Sequence, residues 1–328
     1  MKYRPWGSID WVLSLSSQKK WHFVGALGTE ERSLCSWKYL NASKSLASYQ
    51  MADIKAIDSD KYRDRVRISL DARRAEFVAA GGNLSQLLDL NLMTELFRII
   101  EFAKIAERSG SSLILDVSSL PKRFFFPVLR FLVSSPSVKD LVLTYTLPAG
   151  YAPDNETLYE DIEVWRELPG FGSSTADEKW VVSVGFLVES LRNYLSSNPT
   201  ERMRVLVPFP SSLTSTRRTW EAVANLQQDH EDHRFEKFRV DPIDVSIAFE
   251  RICSIAGDPP IPLSFAPFGP KPTSVAMCLY AMQRGSSVYY PQPLIYNPDY
   301  SVGIHRNSPV DAINAYWIKH EGENFYAL

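Results

Sequence analysis

Several things are scarce in this 328-residue sequence, and each scarcity excludes something. There are three cysteines, Cys35, Cys253 and Cys278, far apart and each in an apolar or helical stretch. They make neither a disulfide framework nor a four-thiolate zinc site, and a reducing cytoplasm fits them best. Net charge is almost absent: 36 Lys and Arg against 38 Asp and Glu leave −2, too little field to gather nucleic acid or an anionic membrane from a distance. Contact with a polyanion must therefore be a local patch, and no extended nucleic-acid surface is evident. Long apolar runs are missing as well. The most apolar one, Phe124-Phe125-Phe126-Pro127-Val128-Leu129, is stopped by Arg130, and the amino terminus lacks a signal-peptide core. A soluble, unexported chain with no membrane partner is expected. No G-x-G-x-x-G, P-loop, G-x-S-x-G, H-E-x-x-H or zinc-deaminase pattern occurs, so the sequence names no cofactor and no metal. His230-Glu231-Asp232-His233 carries metal-capable groups but reads as a solvated polar turn.

What is present is the grammar of an α/β sheet, short apolar runs each followed by a turn signal and a helical pattern. In the first half, strands are expected at 22–27, 46–52, 84–90, 113–117 and 141–145, with helices at 30–40, 60–80, 93–108 and 122–133 between them. The helix at 93–108 is expected to bury Leu96, Phe97, Ile100 and Ala103. From 147 to 179 the pattern lapses into Pro148, Gly150, Pro153, Pro169, Gly170 and Gly172, which predicts a long connector and a domain boundary. Then the series starts again, with strands at 180–184, 205–207, 238–242, 262–266 and 287–290.

The register of this recurrence argues for duplication. Leu115-Asp116-Val117-Ser118-Ser119-Leu120-Pro121-Lys122 matches Ser264 to Lys271 at an offset of 149, and Ser33-Leu34 matches Ser190-Leu191 at an offset of 157. Loop deletions between fixed elements produce such drift. The fold class expected is α/β, with two doubly wound Rossmann-like lobes at 1–146 and 180–328 related by internal duplication, and a carboxyl-terminal strap on the second. The aromatic ends of the chain, Trp6, Trp11, Trp21, Tyr296, Tyr300, Tyr316, Trp317 and Tyr326, are expected to pack across the two halves.

Open parallel sheets bind ligands beyond the carboxyl ends of their strands, so the residues after each strand are the candidates. In the first half these are Gly28, Thr29, Glu30 and Arg32, then Asp116, Ser118, Ser119, Lys122 and Arg123; in the second they are Phe186, Ser211, Phe268, Gly269 and Lys271. Lys122 and Lys271 each follow a proline at a helix start, where a cation sits against the positive end of the helix dipole unless an anion offsets it. Glu30 and Asp116 suit hydroxyl groups, a facing lysine or acid/base work, and Phe186 or Phe268 suits stacking.

The segment Asp116-Val117-Ser118-Ser119-Leu120-Pro121-Lys122 and its counterpart ending Phe268-Gly269-Pro270-Lys271-Pro272 resemble CARF domains, the Rossmann-like sensory modules of CRISPR-associated proteins. That resemblance implies a β-turn-helix segment of the D-x-[ST]-x-G-[TS]-K kind and two domains paired about a twofold axis around a cyclic oligonucleotide, here within one chain. Pro121 and Pro270 depart from the pattern by replacing the small residue before the lysine. The expectation is a regulatory protein of prokaryotic defence that binds a small anionic, nucleotide-like ligand between its lobes and switches a protein partner. Two alternatives stand beside it: a nucleotide-directed hydrolase or transferase using Asp116 or Glu30, and a scaffold subunit.

Overall fold

The structure, a computed structural model, describes residues 4–328 except 17, 56–61, 152–158, 161–165, 173–178, 186–188, 198–201, 211–212, 232, 296 and 306–308. The chain forms two compact units, one made of Lys2–Tyr159 with Pro293–Phe325, the other of Glu160–Gln292 with Tyr326–Leu328.

The first unit is built on five parallel strands: β1 (Trp21–Leu27), β2 (Leu46–Lys55), β3 (Leu87–Asn91), β4 (Ser112–Asp116) and β5 (Asp140–Thr146). They lie in the order β3-β2-β1-β4-β5. Four helices connect them: α1 (Cys35–Ala42), α2 (Arg63–Ala79), α3 (Leu96–Ser109) and α4 (Lys122–Ser134). Leu113, Ile114 and Leu115 of β4 are fully buried, as a central strand covered on both faces must be. One face is covered by α1 and α2, whose Trp37, Leu40 and Phe77 pack on Phe23, Met51, Ile114 and Val142. Helix α2 is otherwise charged; Val66, Leu70 and Phe77 recur at helical spacing and give it the single apolar stripe it buries. Helix α3 packs against α4. The sheet-facing stripe of α3 is Ile99, Phe102, Ala103 and Ala106, rotated from the one expected, and Phe97 is 65% exposed.

The second unit repeats this plan. Its strands β6 (Lys179–Ser183), β7 (Arg202–Pro208), β8 (Arg234–Val240), β9 (Leu263–Pro267) and β10 (Ser287–Tyr290) are parallel and lie in the order β8-β7-β6-β9-β10. Helices α5 (Glu189–Ser197), α6 (Leu213–Asp229), α7 (Val245–Ala256) and α8 (Lys271–Arg284) follow in the same positions. Both units therefore have the Rossmann-like α/β order, the first strand central and the chain winding outward in both directions. Among the described residues no helix is long and apolar enough to cross a membrane.

The carboxyl-terminal segment corrects the expectation of a strap on the second lobe. Ile313–His320 is a strand that pairs antiparallel with β5, and Trp6–Ser8 pairs with it in turn. All seven residues of β5 are buried, so β5 is not an edge and needs a strand beyond it. The terminal aromatics pack accordingly: Trp6 stacks on Tyr316 and Trp21 meets Trp317 edge-on, all inside the first unit. Part of the expected connector joins the second unit's sheet. Arg166–Glu167 pairs antiparallel with β10, and Leu168 and Phe171 are buried, with the Leu168 N–H donating to the Val288 carbonyl and the Val288 N–H to the Phe171 carbonyl.

Candidate functional site

At the carboxyl end of the first sheet, β1 runs into Gly28 while β4 runs into the turn Val117 to Pro121, and the two turns touch. A methyl group on Gly28 would lie 2.6 Å from the Ser119 Cβ, far inside van der Waals contact, so only glycine lets the turns meet. Ser119 Oγ donates to the Ala26 carbonyl at 2.9 Å and fixes the contact.

Asp116 organises the β4 turn from below. It is 1% exposed, and its carboxylate accepts from Ser36 Oγ (2.6 Å), Thr144 Oγ1 (2.8 Å), Ser118 Oγ (3.1 Å) and the Ser118 N–H (2.9 Å). Burial pushes its pKa up, and those four bonds pull against the rise. Ser118 Oγ accepts from the Thr146 N–H at 2.8 Å. Asp116 and Ser118 thus face inward and hold the turn. Arg32 is buried as well. It is 4% exposed, donates to Glu30 Oε2 at 2.5 Å and to the Thr146 carbonyl at 2.8 Å, and its guanidinium lies 5.3 Å from the Tyr145 ring centre. Burial, the largest single effect, works against the charge of Arg32, but Glu30 together with Tyr145 and Tyr151 raises its pKa on balance.

Glu30 stays at the surface of the site. Besides Arg32, Ser301 Oγ donates to its Oε2. A carboxylate with its charge already matched by a buried arginine is an acceptor for hydroxyl groups rather than a repellent for anions.

Above these layers lies a cleft open to solvent. Ala26, Leu27, Gly28, Thr29 and Glu30 from the end of β1, Ile54 and Lys55 from the end of β2, Val66 of α2, Leu92 beyond β3, and Ser119 and Pro121 line it. The walls Leu27, Ile54, Val66 and Leu92 are apolar, while Thr29, Glu30, Lys55 and Ser119 bring hydrogen-bonding groups and one cation to it. Lys55 is exposed and reaches Asp89 at 2.6 Å.

Of the residues expected from the sequence, Gly28, Thr29, Glu30 and Ser119 come together in the cleft. Lys122 is 8% exposed, and Arg123 donates to the Thr94 carbonyl at 3.3 Å, tying α4 to the turn after β3. Pro121 and Pro270 are the cap residues, one position earlier than expected, and Lys122 and Lys271 begin their helices. Ile54, Lys55, Val66 and Leu92 were missed. The rule of residues following a strand reaches Ile54 and Lys55 once β2 is extended to its true end, whereas Val66 and Leu92 carry no local signal.

The second unit repeats the turn contact. A methyl on Gly185 would meet the Phe268 carbonyl at 2.8 Å, and the buried Gly269 N–H donates to Ser183 Oγ at 2.9 Å. The offsets 157 and 149 carry Gly28 onto Gly185 and Ser119 onto Phe268, and each pair touches. Gly269 accordingly serves backbone packing, and Phe268 packs against the core of its unit. Phe186 and Ser211 lie outside the described residues. Among the described residues no group of three or more His, Cys, Asp or Glu is arranged to hold a metal ion.

No protein-family model matches the chain, and no curated protein matches it. Among solved structures it is similar to a type III CRISPR defence DNA nuclease activated by cyclic oligoadenylate, with a TM-score of 0.52 and 10% identity over 82% of this chain. The chain spans 65% of that nuclease's length. A universal stress protein from Archaeoglobus fulgidus DSM 4304 aligns over 83% of this chain and 96% of its own at 10% identity, with a TM-score of 0.26. The first likeness is one of fold, and it agrees with the Rossmann-like α/β order of both units.

Proposed function

We propose that this protein is a ligand sensor of the CARF kind, whose first unit binds a small anionic, nucleotide-like molecule in the cleft at the carboxyl ends of β1 and β2, and that binding acts in defence by switching a protein partner. The observation that carries the proposal is the cleft itself, with apolar walls for a base, Glu30 and Ser119 for hydroxyls, and Lys55 for a phosphate at its rim. Its fold relative, described as activated by cyclic oligoadenylate, supports the nucleotide class. The sealed position of Asp116 takes one of the two acid/base groups of the hydrolase or transferase alternative away from any ligand, and the other, Glu30, is held in an ion pair by Arg32.

Calorimetric titration with a panel of adenine and guanine mononucleotides and cyclic oligoadenylates tests this reading. Thr29→Trp, which fills the cleft, should abolish binding of whichever member binds, and Lys55→Ala should weaken it about tenfold. Unchanged affinity in both variants would reject the site.

A further inference from the structure

We infer that the second unit carries a base-stacking site of its own, built on Phe209, Trp220 and Arg239 at the carboxyl ends of β7 and β8, which takes an unstacked nucleobase of a single-stranded oligonucleotide. Phe209 directly follows the last residue of β7 and is 42% exposed, so its ring is open to a ligand. Its N–H donates to the Val240 carbonyl at 2.8 Å, which pins the ring beside the end of β8. There the guanidinium carbon of the exposed Arg239 lies 4.8 Å from the Phe209 ring centre and 6.0 Å from that of Trp220 on α6. Trp220 packs on the core of the unit and holds its place. No acid pairs with Arg239 among the described residues. A cation beside two aromatic rings, solvent-exposed and without an acid partner among the described residues, fits a planar base that carries a phosphate.

The internal repeat makes the placement more pointed. Matching Gly28 to Gly185 carries Ala26 onto Ser183; their partners Ala52 and Leu206 then match, and the strand registers place Phe209 where the first unit has Lys55 and Arg239 where it has Asp89. Lys55 and Asp89 form an ion pair at 2.6 Å beside the first unit's cleft. At the same topological position the second unit has exchanged a charge pair for a cation over two rings. The exchange leaves the arginine without a paired acid among the described residues, and its guanidinium, backed by two rings, offers its outer side to a base. This inference stands on residues of the second unit alone and does not depend on the cleft of the first.

Fluorescence anisotropy with a short fluorescein-labelled single-stranded adenylate oligomer, its duplex and competing AMP tests it. The single strand should bind in preference to the duplex, more weakly as salt is raised, and AMP should compete only far less effectively than unlabelled oligomer. Phe209→Ala and Arg239→Ala should each weaken binding about tenfold, and Arg239→Lys, which keeps the charge but loses the flat guanidinium, should weaken it too. Phe209→Leu repeats the test with the apolar bulk retained. Absence of binding, equal binding of duplex, AMP competing as well as the oligomer, or wild-type affinity in the Phe209 and Arg239 variants would each overturn the assignment.

Discussion

Single buried carboxylates show how the same residue type takes opposite parts according to its surroundings. Asp116 accepts from three hydroxyls and one N–H, and burial keeps its pKa raised; nearby Cys35 is pushed up to about 12, by burial first and by the Asp116 charge second. Asp140 is the contrary case. Burial alone would raise it, but bonds from Lys19 (2.7 Å), the Glu321 N–H (3.2 Å), Ser112 Oγ (2.9 Å) and His320 (3.0 Å) hold it below the usual carboxylate range. A depressed folded pKa means that the stabilisation is complete above the unfolded value, near pH 4, and is lost as the pH falls through the folded one. Asp140→Asn should therefore destabilise the protein by about 1–2 kcal/mol at pH 7, and the difference from wild type should shrink toward zero below about pH 3, read by urea denaturation at both pH values.

Among elements, the meeting of the first and fourth turns decides whether each unit closes. In the first unit the obstacle to a larger residue at Gly28 is a side chain, Ser119, whereas in the second the obstacle to one at Gly185 is the backbone carbonyl of Phe268. Gly28→Ala should cost about 1–3 kcal/mol, and adding Ser119→Gly should recover part of that loss because the clashing Cβ is gone. Gly185→Ala should cost at least as much, with no recovery from any substitution at Phe268, since the carbonyl remains. Thermal denaturation of the single and double variants separates the two cases. The turns themselves were legible in the sequence as apolar runs ending in small residues, and the matched offsets located both. Which residue of each turn faces a ligand was not legible: Ser118 and Ser119 are neighbours of one type, yet Ser118 is fully buried under Thr146 while Ser119 borders the cleft.

At the scale of the whole chain, the last residues are divided between the units. Tyr316 is buried in the first unit against Trp6, while Tyr326, ten positions later in the sequence, is buried in the second, 5.3 Å from Phe249 and hydrogen-bonded to Ser246 at 3.2 Å. Tyr316→Ala should lose about 3–5 kcal/mol and lower amide-exchange protection first in β1, β4 and β5, while Tyr326→Ala should lower it first in α7 and α8. Exchange followed by mass spectrometry would contradict the division if both variants loosened the same strands.

The sequence by itself determined the strand and helix alternation, the repetition of five βα steps and the positions of the glycines where turns cross, because periodicity, turn chemistry and close backbone approach act over a few residues. It also pointed to the segments after strands as the candidates for a ligand. The tertiary structure alone decided that Ile313–His320 completes the first sheet, since a fully buried β5 must find a partner wherever in the chain one exists. It alone turned Asp116 and Arg32 inward, joined Val66 and Leu92 to the cleft, and set Arg239 over Phe209. Those outcomes depend on contacts between residues far apart in sequence, whose free energies are settled only when the sheets have formed.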